Sequence, residues 1–144
     1  MAADRTLRAA MIGLRHGHVG RVDPEDPRPG YIHSFKQLEG VQVVAYCEDS
    51  DPTLLEQAGQ FDPNARCYGS VDDLLAAGDF DFACVVLPAN EVPVVGVKLA
   101  EAGKHFFMEK QFARSATDLA RLAQAIHQNG VRVLAGYPWR FHPA

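Results

Sequence analysis

Apolar residues in this chain fall in short, nearly unbroken runs separated by longer stretches of mixed character. Leu7 to Leu14 (LRAAMIGL), Val41 to Cys47 (VQVVAYC) and Phe82 to Leu87 (FACVVL) are the clearest runs, the last stopped by Pro88. A strand that is apolar at successive positions is buried on both faces, as in a parallel sheet covered by helices. His105 to Met108 and Val131 to Ala135 are shorter strand candidates. Between them lie helical patterns with recognisable ends. Pro52 to Phe61 opens after Asp51, a suitable N-cap, and Val71 to Ala77 opens after Ser70 with acids in its first turn. Asn90 to Ala102 stops at Gly103, and Thr117 to Gln128 stops near Gly130. Strands alternating with helices imply right-handed βαβ crossovers. The expected class is therefore α/β, a doubly wound and mostly parallel sheet.

One segment breaks the pattern. Arg21 to Ile32 (RVDPEDPRPGYI) carries three prolines and three acids, and is expected to be an inserted loop projecting between the first strand and His33 to Leu38. The domain proper is expected to span residues 1–135, with residues 136–144 leading out of it.

Composition narrows the function classes. The chain has 144 residues, enough for one domain with a substantial core. A net charge of −4 leaves no electrostatic footprint for nucleic acid or an anionic membrane, and no apolar run reaches membrane-spanning length. Cys47, Cys67 and Cys84 are an odd set without metal spacing, two of them inside expected strands. A reducing cytoplasm is the expected setting.

In an open parallel sheet, ligands collect at the carboxyl ends of the strands. After the first run comes Gly13-Leu14-Arg15-His16-Gly17-His18-Val19-Gly20. Glycines are needed there when the backbone must turn tightly and approach a pyrophosphate at a helix N-terminus. The G-x-G-x-x-G spacing is not met, since Arg15 and His18 stand where its second and third glycines would be. Glu48 follows the second run, where a carboxylate accepts hydrogen bonds from ribose hydroxyls and repels a 2′-phosphate. With Asp49 beside it, the expected preference is NAD over NADP. Glu109 and Lys110 leave a further strand at the same edge. His16, His18 and His33 raise a metal reading, but no third ligand has diagnostic spacing and no metal is expected.

Several segments together resemble the N-terminal domain of the Gfo/Idh/MocA oxidoreductases. Gly40 to Glu48 is similar to that family's second strand with its ribose-binding acid. Leu87-Pro88-Ala89-Asn90 is similar to its T-P-x-x segment, and Ala100 to Lys110 to its signature ending in Glu-Lys-Pro. Gly136 to Pro143 resembles the stretch that leaves the domain. The resemblance implies a Rossmann fold in which Gly13, Arg15, His16 and Gly17 line the pyrophosphate. It further implies that Glu48 holds the ribose, that Leu87, Pro88 and Asn90 flank the cofactor, and that Glu109 lies beside it. Lys110 would face a sugar-like or polyol-like substrate. Gln111 replaces the motif's proline, which is expected to hold Lys110 less rigidly. The family's second domain, carrying an acid-base pair and most of the dimer contact, has no counterpart in these residues. Nucleotide binding without turnover is the resulting expectation, with assembly into a homo-oligomer left open. A non-catalytic module with a degenerate cofactor site is the alternative.

Overall fold

The unbroken apolar runs become the inner strands of a parallel sheet. A computed structural model describes residues 5–22, 30–137 and 140. In chain order the elements are β1 (Leu7–Ile12), α1 (Tyr31–Gln37), β2 (Val41–Cys47), α2 (Pro52–Phe61), β3 (Arg66–Tyr68) and α3 (Val71–Ala77). They continue with β4 (Phe82–Val85), α4 (Val92–Glu101), β5 (His105–Glu109), α5 (Ala116–Asn129) and β6 (Val133–Gly136). The strand order is β3-β2-β1-β4-β5-β6, and every neighbouring pair is parallel. From β1 the chain winds outward through β2 to β3, then returns to pair β4 against β1. The direction of winding therefore reverses between β1 and β4. The loops leaving those two strands diverge, and a crevice opens at their carboxyl ends.

Each face of the sheet has its own core. On one face α3, α4 and α5 bury Leu74, Leu99 and Leu122 over Ile12, Val85 and Phe106. On the other, α1 and α2 bury Ile32 and Ala58 over Met11 and Tyr46. Gly96 lets α4 and α5 approach closely, since a Cβ there would lie 2.6 Å from Leu122 Cδ1. The helix ends follow local chemistry. The Asp51 side chain accepts from the Thr53 amide, Ser70 from Asp73 and Ser115 from Asp118, while Gly78 and Gly130 close α3 and α5 in the left-handed region.

Several expected boundaries shift. β1 ends at Ile12 because Gly13 turns at φ 87, and β4 ends at Val85, two residues before Leu87. The first helical turn after Pro88 is a tight turn in which Glu91 and Val92 amides donate to the Pro88 carbonyl, so α4 starts at Val92 and not Asn90. β6 begins at Val133 and runs to Gly136, past the expected end of the domain at 135. Of the segment 21–32 expected as a loop, residues 23–29 lie outside the described residues. Its last two members, Tyr31 and Ile32, are helical and begin α1. Ile32 is fully buried, and tertiary burial there overrides the prolines upstream. The short edge strand β3 was not anticipated at all.

Leu122 is 1% exposed and packs where α5 meets the sheet, whereas Leu119 on the same helix is 46% exposed. Leu122→Ala is expected to lower unfolding free energy in urea by about 2–5 kcal/mol. Leu119→Ala is expected to stay within about 0.5 kcal/mol of the unsubstituted chain.

Candidate cofactor site

Gly13 sits at the exit of β1, against the exit of β2 and the loop after β4. Its amide donates to the Cys47 carbonyl at 2.9 Å, which ties the exit of β1 to the exit of β2. A Cβ on it would lie 2.3 Å from the Val86 carbonyl oxygen, so only glycine fits between the loops that leave β1 and β4. Beyond it the chain forms a short 3-10 turn, Gly17–Val19, whose capping residue His16 accepts from the His18 amide through Nδ1 at 3.2 Å.

Glu48 is buried at 3% exposure. A carboxylate without water needs donors from the protein, and this one has several. The Leu14 amide donates to Oε2 at 2.8 Å, and the Ser50 amide and hydroxyl donate to Oε1 at 3.0 and 2.6 Å. Arg15 Nε lies 3.2 Å from Oε1, and the far end of the same guanidinium donates to Glu91 at 2.8 Å. Burial pushes the Glu48 carboxyl upward, but the Leu14 amide, the two Ser50 groups and Arg15 outweigh it and hold it below the usual carboxylate range. Arg15 moves the opposite way. Burial disfavours its charge, and the carboxylates of Glu48 and Glu91 more than compensate.

Two clefts flank this arrangement. One, of about 260 Å³, is lined by Gly13, Glu48, Asp49, Leu87, Asn90 and Glu91. The other, of about 460 Å³ on the α2 side, is lined by Arg15, His16 and Gly17 together with Arg21, Leu54 and Gln57. The structure thus gathers Gly13, Glu48, Leu87 and Asn90 in one cleft and Arg15, His16 and Gly17 in its neighbour. Pro88 is exposed, with its carbonyl spent on the turn before α4.

Glu109 and Lys110 stand farther along the same edge. Glu109 is 2% exposed, and its carboxylate accepts from the Tyr31 hydroxyl and, at 3.1 Å, from the Lys110 amide. Lys110 itself is exposed, and the Lys110–Gln111 peptide is cis. Two contributors escape a reading of the sequence. Ser50 carries no motif and matters only through Glu48. Tyr31 lies in the proline-rich segment, 78 positions from its partner, with no local signal of that contact. Among the described residues no group of three or more His, Cys, Asp or Glu could hold a metal ion. The Cys47 thiol is pushed up to about 12 by burial, with Asp49 and Glu48 adding to the effect, and is a packing group here.

The lowered Glu48 carboxyl has a definite consequence for stability. In acid the unfolded chain binds a proton at this group where the folded chain does not, so stability rises with pH through that range. The contribution is complete above the ordinary glutamate value of about 4.3 and is lost as pH falls toward the lower folded value. Glu48→Gln is expected to flatten the dependence of unfolding free energy on pH below about pH 5, with little change in its slope near neutrality. An unchanged acid slope would show that the carboxylate is solvated in solution.

Comparisons with known proteins agree with this fold. The chain is 31% identical over 142 residues to the inositol 2-dehydrogenase/D-chiro-inositol 3-dehydrogenase of Shouchella clausii, a match covering 94% of this chain and 37% of that protein. It is 27% identical over 114 residues to the D-apiose dehydrogenase of Paraburkholderia graminis, covering 79% of this chain and 30% of the relative. Among solved structures, the WlbA dehydrogenase from Bordetella pertussis, in complex with NADH and UDP-GlcNAcA, superposes with a TM-score of 0.80 at 25% identity. That superposition covers 96% of this chain and 37% of the other. The chain therefore spans about a third of the length of the curated relatives it matches. A family model described as an oxidoreductase family with an NAD-binding Rossmann fold matches residues 7–137. With the doubly wound sheet, the switch-point cleft and this match in hand, the chain belongs to the Gfo/Idh/MocA oxidoreductase family and forms its NAD-binding Rossmann domain.

Proposed function

We propose that this domain holds NAD, in preference to NADP, for hydride transfer to or from a hydroxyl or keto group of a sugar-like or polyol-like substrate. The observation that carries the reading is the cleft between β1, β2 and β4, lined by Gly13, Glu48 and Asp49. In such a cleft Glu48 and Asp49 face the ribose of a dinucleotide, and a 2′-phosphate there would meet two negative charges. Gly13 lets the backbone approach closely, and Arg15, His16 and Gly17 offer positive charge and amides to the pyrophosphate. Leu87, Pro88 and Asn90 flank the cofactor from the β4 loop, and Glu109 and Lys110 stand at the nicotinamide end.

NAD supplies the site that accepts or gives a hydride. The chain's own part is orientation and charge. Lys110 brings an ammonium to the substrate oxygen, where it polarises the carbonyl or favours alkoxide character as hydride departs. Relatives that act on inositol and apiose support a polyol-like or sugar-like substrate. The free, mostly buried thiols fit a cytoplasmic setting, and no helix of the described residues is long and apolar enough to cross a membrane.

One feature favours a second reading, a non-catalytic module with a degenerate cofactor site. The Glu48 carboxylate already receives the Leu14 amide, the Ser50 amide and hydroxyl and Arg15, leaving it few free lone pairs for a ribose. Calorimetric titration of NADH into the unsubstituted chain and into Glu48→Gln separates the two. The cofactor reading expects the variant, with unchanged circular dichroism, to bind at least about tenfold more weakly. Equal affinity would take Glu48 off the ribose, and absence of binding by both proteins would favour the degenerate module.

A further inference from the structure

A single ion pair joins the two clefts. Arg15, on the loop after β1, lines the larger one, and Glu91, just before α4, lines the smaller one beside Glu48. The Arg15 guanidinium is 3.2 Å from Glu48 Oε1 through Nε and donates to Glu91 Oε2 through Nη2 at 2.8 Å. Its bond to Glu91 therefore runs from the loop after β1 to the start of the helix after β4, across the crevice where the winding reverses. In a doubly wound sheet that crevice is the path of a dinucleotide, with the pyrophosphate against the loop after the first strand.

The two ends of the guanidinium are held differently. The Glu48 side chain is 0% exposed, and a buried carboxylate gives up a cationic partner only at high cost, so the Nε end is anchored. The Glu91 side chain is 33% exposed and that of Arg15 35%. Water rehydrates groups so placed when they part, which makes this a weak pair. Glu91 also spends no bond on its own helix, since its side chain makes no capping hydrogen bond to α4. The guanidinium fork suits phosphate oxygens as well as a carboxylate. The smaller cleft itself carries Glu48, Asp49, Asp72 and Glu91 against Lys98, whose ammonium is held by both Asp72 oxygens at 2.7 and 2.8 Å. A diphosphate entering between the clefts thus meets Arg15 with one arm already on Glu91.

We propose that Glu91 competes with the cofactor's pyrophosphate for Arg15. Binding exchanges the Arg15–Glu91 pair for an Arg15–pyrophosphate pair, and the contact of Nε with Glu48 is kept. The proposal rests on the function proposed above. Without cofactor the pair ties the loop after β1 to the start of α4; with cofactor the tie passes to the ligand and Glu91 turns to water. Glu91 thereby sets the affinity of the site without touching the cofactor.

The test is a calorimetric titration of NADH into the unsubstituted chain, Glu91→Gln, Arg15→Gln and the double variant, each with unchanged circular dichroism. Glu91→Gln is expected to bind about twofold to fivefold more tightly, because a half-exposed ion pair no longer has to be broken. Arg15→Gln is expected to bind more weakly, and adding Glu91→Gln to it to restore nothing. Affinity in Glu91→Gln equal to or below that of the unsubstituted chain would overturn the proposal and leave the cofactor site standing. So would the same gain with and without Arg15, which would reduce Glu91 to simple repulsion. If Arg15→Gln does not fold, NMR of the Arg15 guanidinium in the unsubstituted chain decides instead. NADH is expected to move its signals, and signals indifferent to bound NADH would overturn the exchange. Absence of NADH binding by every folded protein would remove the cofactor reading, and this proposal with it.

Discussion

The carboxylate of Glu48 is the constraint on which the site depends. Taken out of water at the end of β2, it must find donors, and the nearest are the Leu14 amide across the crevice and the Ser50 groups beside it. Meeting that need fixes the loop after β1 relative to the loop after β2. Gly13 completes the tie from the backbone by donating to Cys47 and leaving no Cβ to collide with Val86. Arg15 then reaches from the same loop to Glu91 and links the start of the β4 crossover to the cluster. The loops after β1 and β4, which diverge because the winding reverses between those strands, are in this way held with the loop after β2 around one cleft.

A second buried carboxylate repeats the arrangement at the other end of the edge. Glu109 joins β5 to α1 through Tyr31 and touches the turn after β1 through His18. The two acids differ in their partners. Glu48 is met by amides, a hydroxyl and a guanidinium, which hold it charged. Glu109 is met by a phenol and one amide, with the His18 imidazole 3.5 Å away.

Much of the fold was legible because burial on two faces writes itself as an unbroken apolar run. Val41–Cys47 appears as a strand with the bounds read from the sequence, and Asp51, Ser70 and Gly130 mark helix ends where their chemistry requires. β3 was not legible, since Arg66, Cys67 and Tyr68 form a three-residue edge strand with two exposed positions and no apolar pattern. The helical state of Tyr31 and Ile32 was hidden by the prolines before them and is set by burial against β1 and β2. At the edge of the sheet, Gly13 and Glu48 were singled out by their places after strands and Asn90 by the resemblance of its segment, and all three line one cleft. The pairing of Arg15 with Glu48 and Glu91, and of Tyr31 with Glu109, spans many tens of residues and has no local signature. Such contacts arise only when the sheet brings strand ends together.

The most direct test of the central claim is a titration of the purified chain with NADH and with NADPH, followed by nicotinamide fluorescence. The account predicts saturable binding of NADH, tighter than NADPH by at least about tenfold, because the proposed function sets Glu48 and Asp49 of this cleft against the ribose. Equal affinities, or tighter NADPH, would contradict the placement of those carboxylates against the ribose. Silence with both, from a chain shown to be folded, would contradict the claim that this cleft holds a dinucleotide.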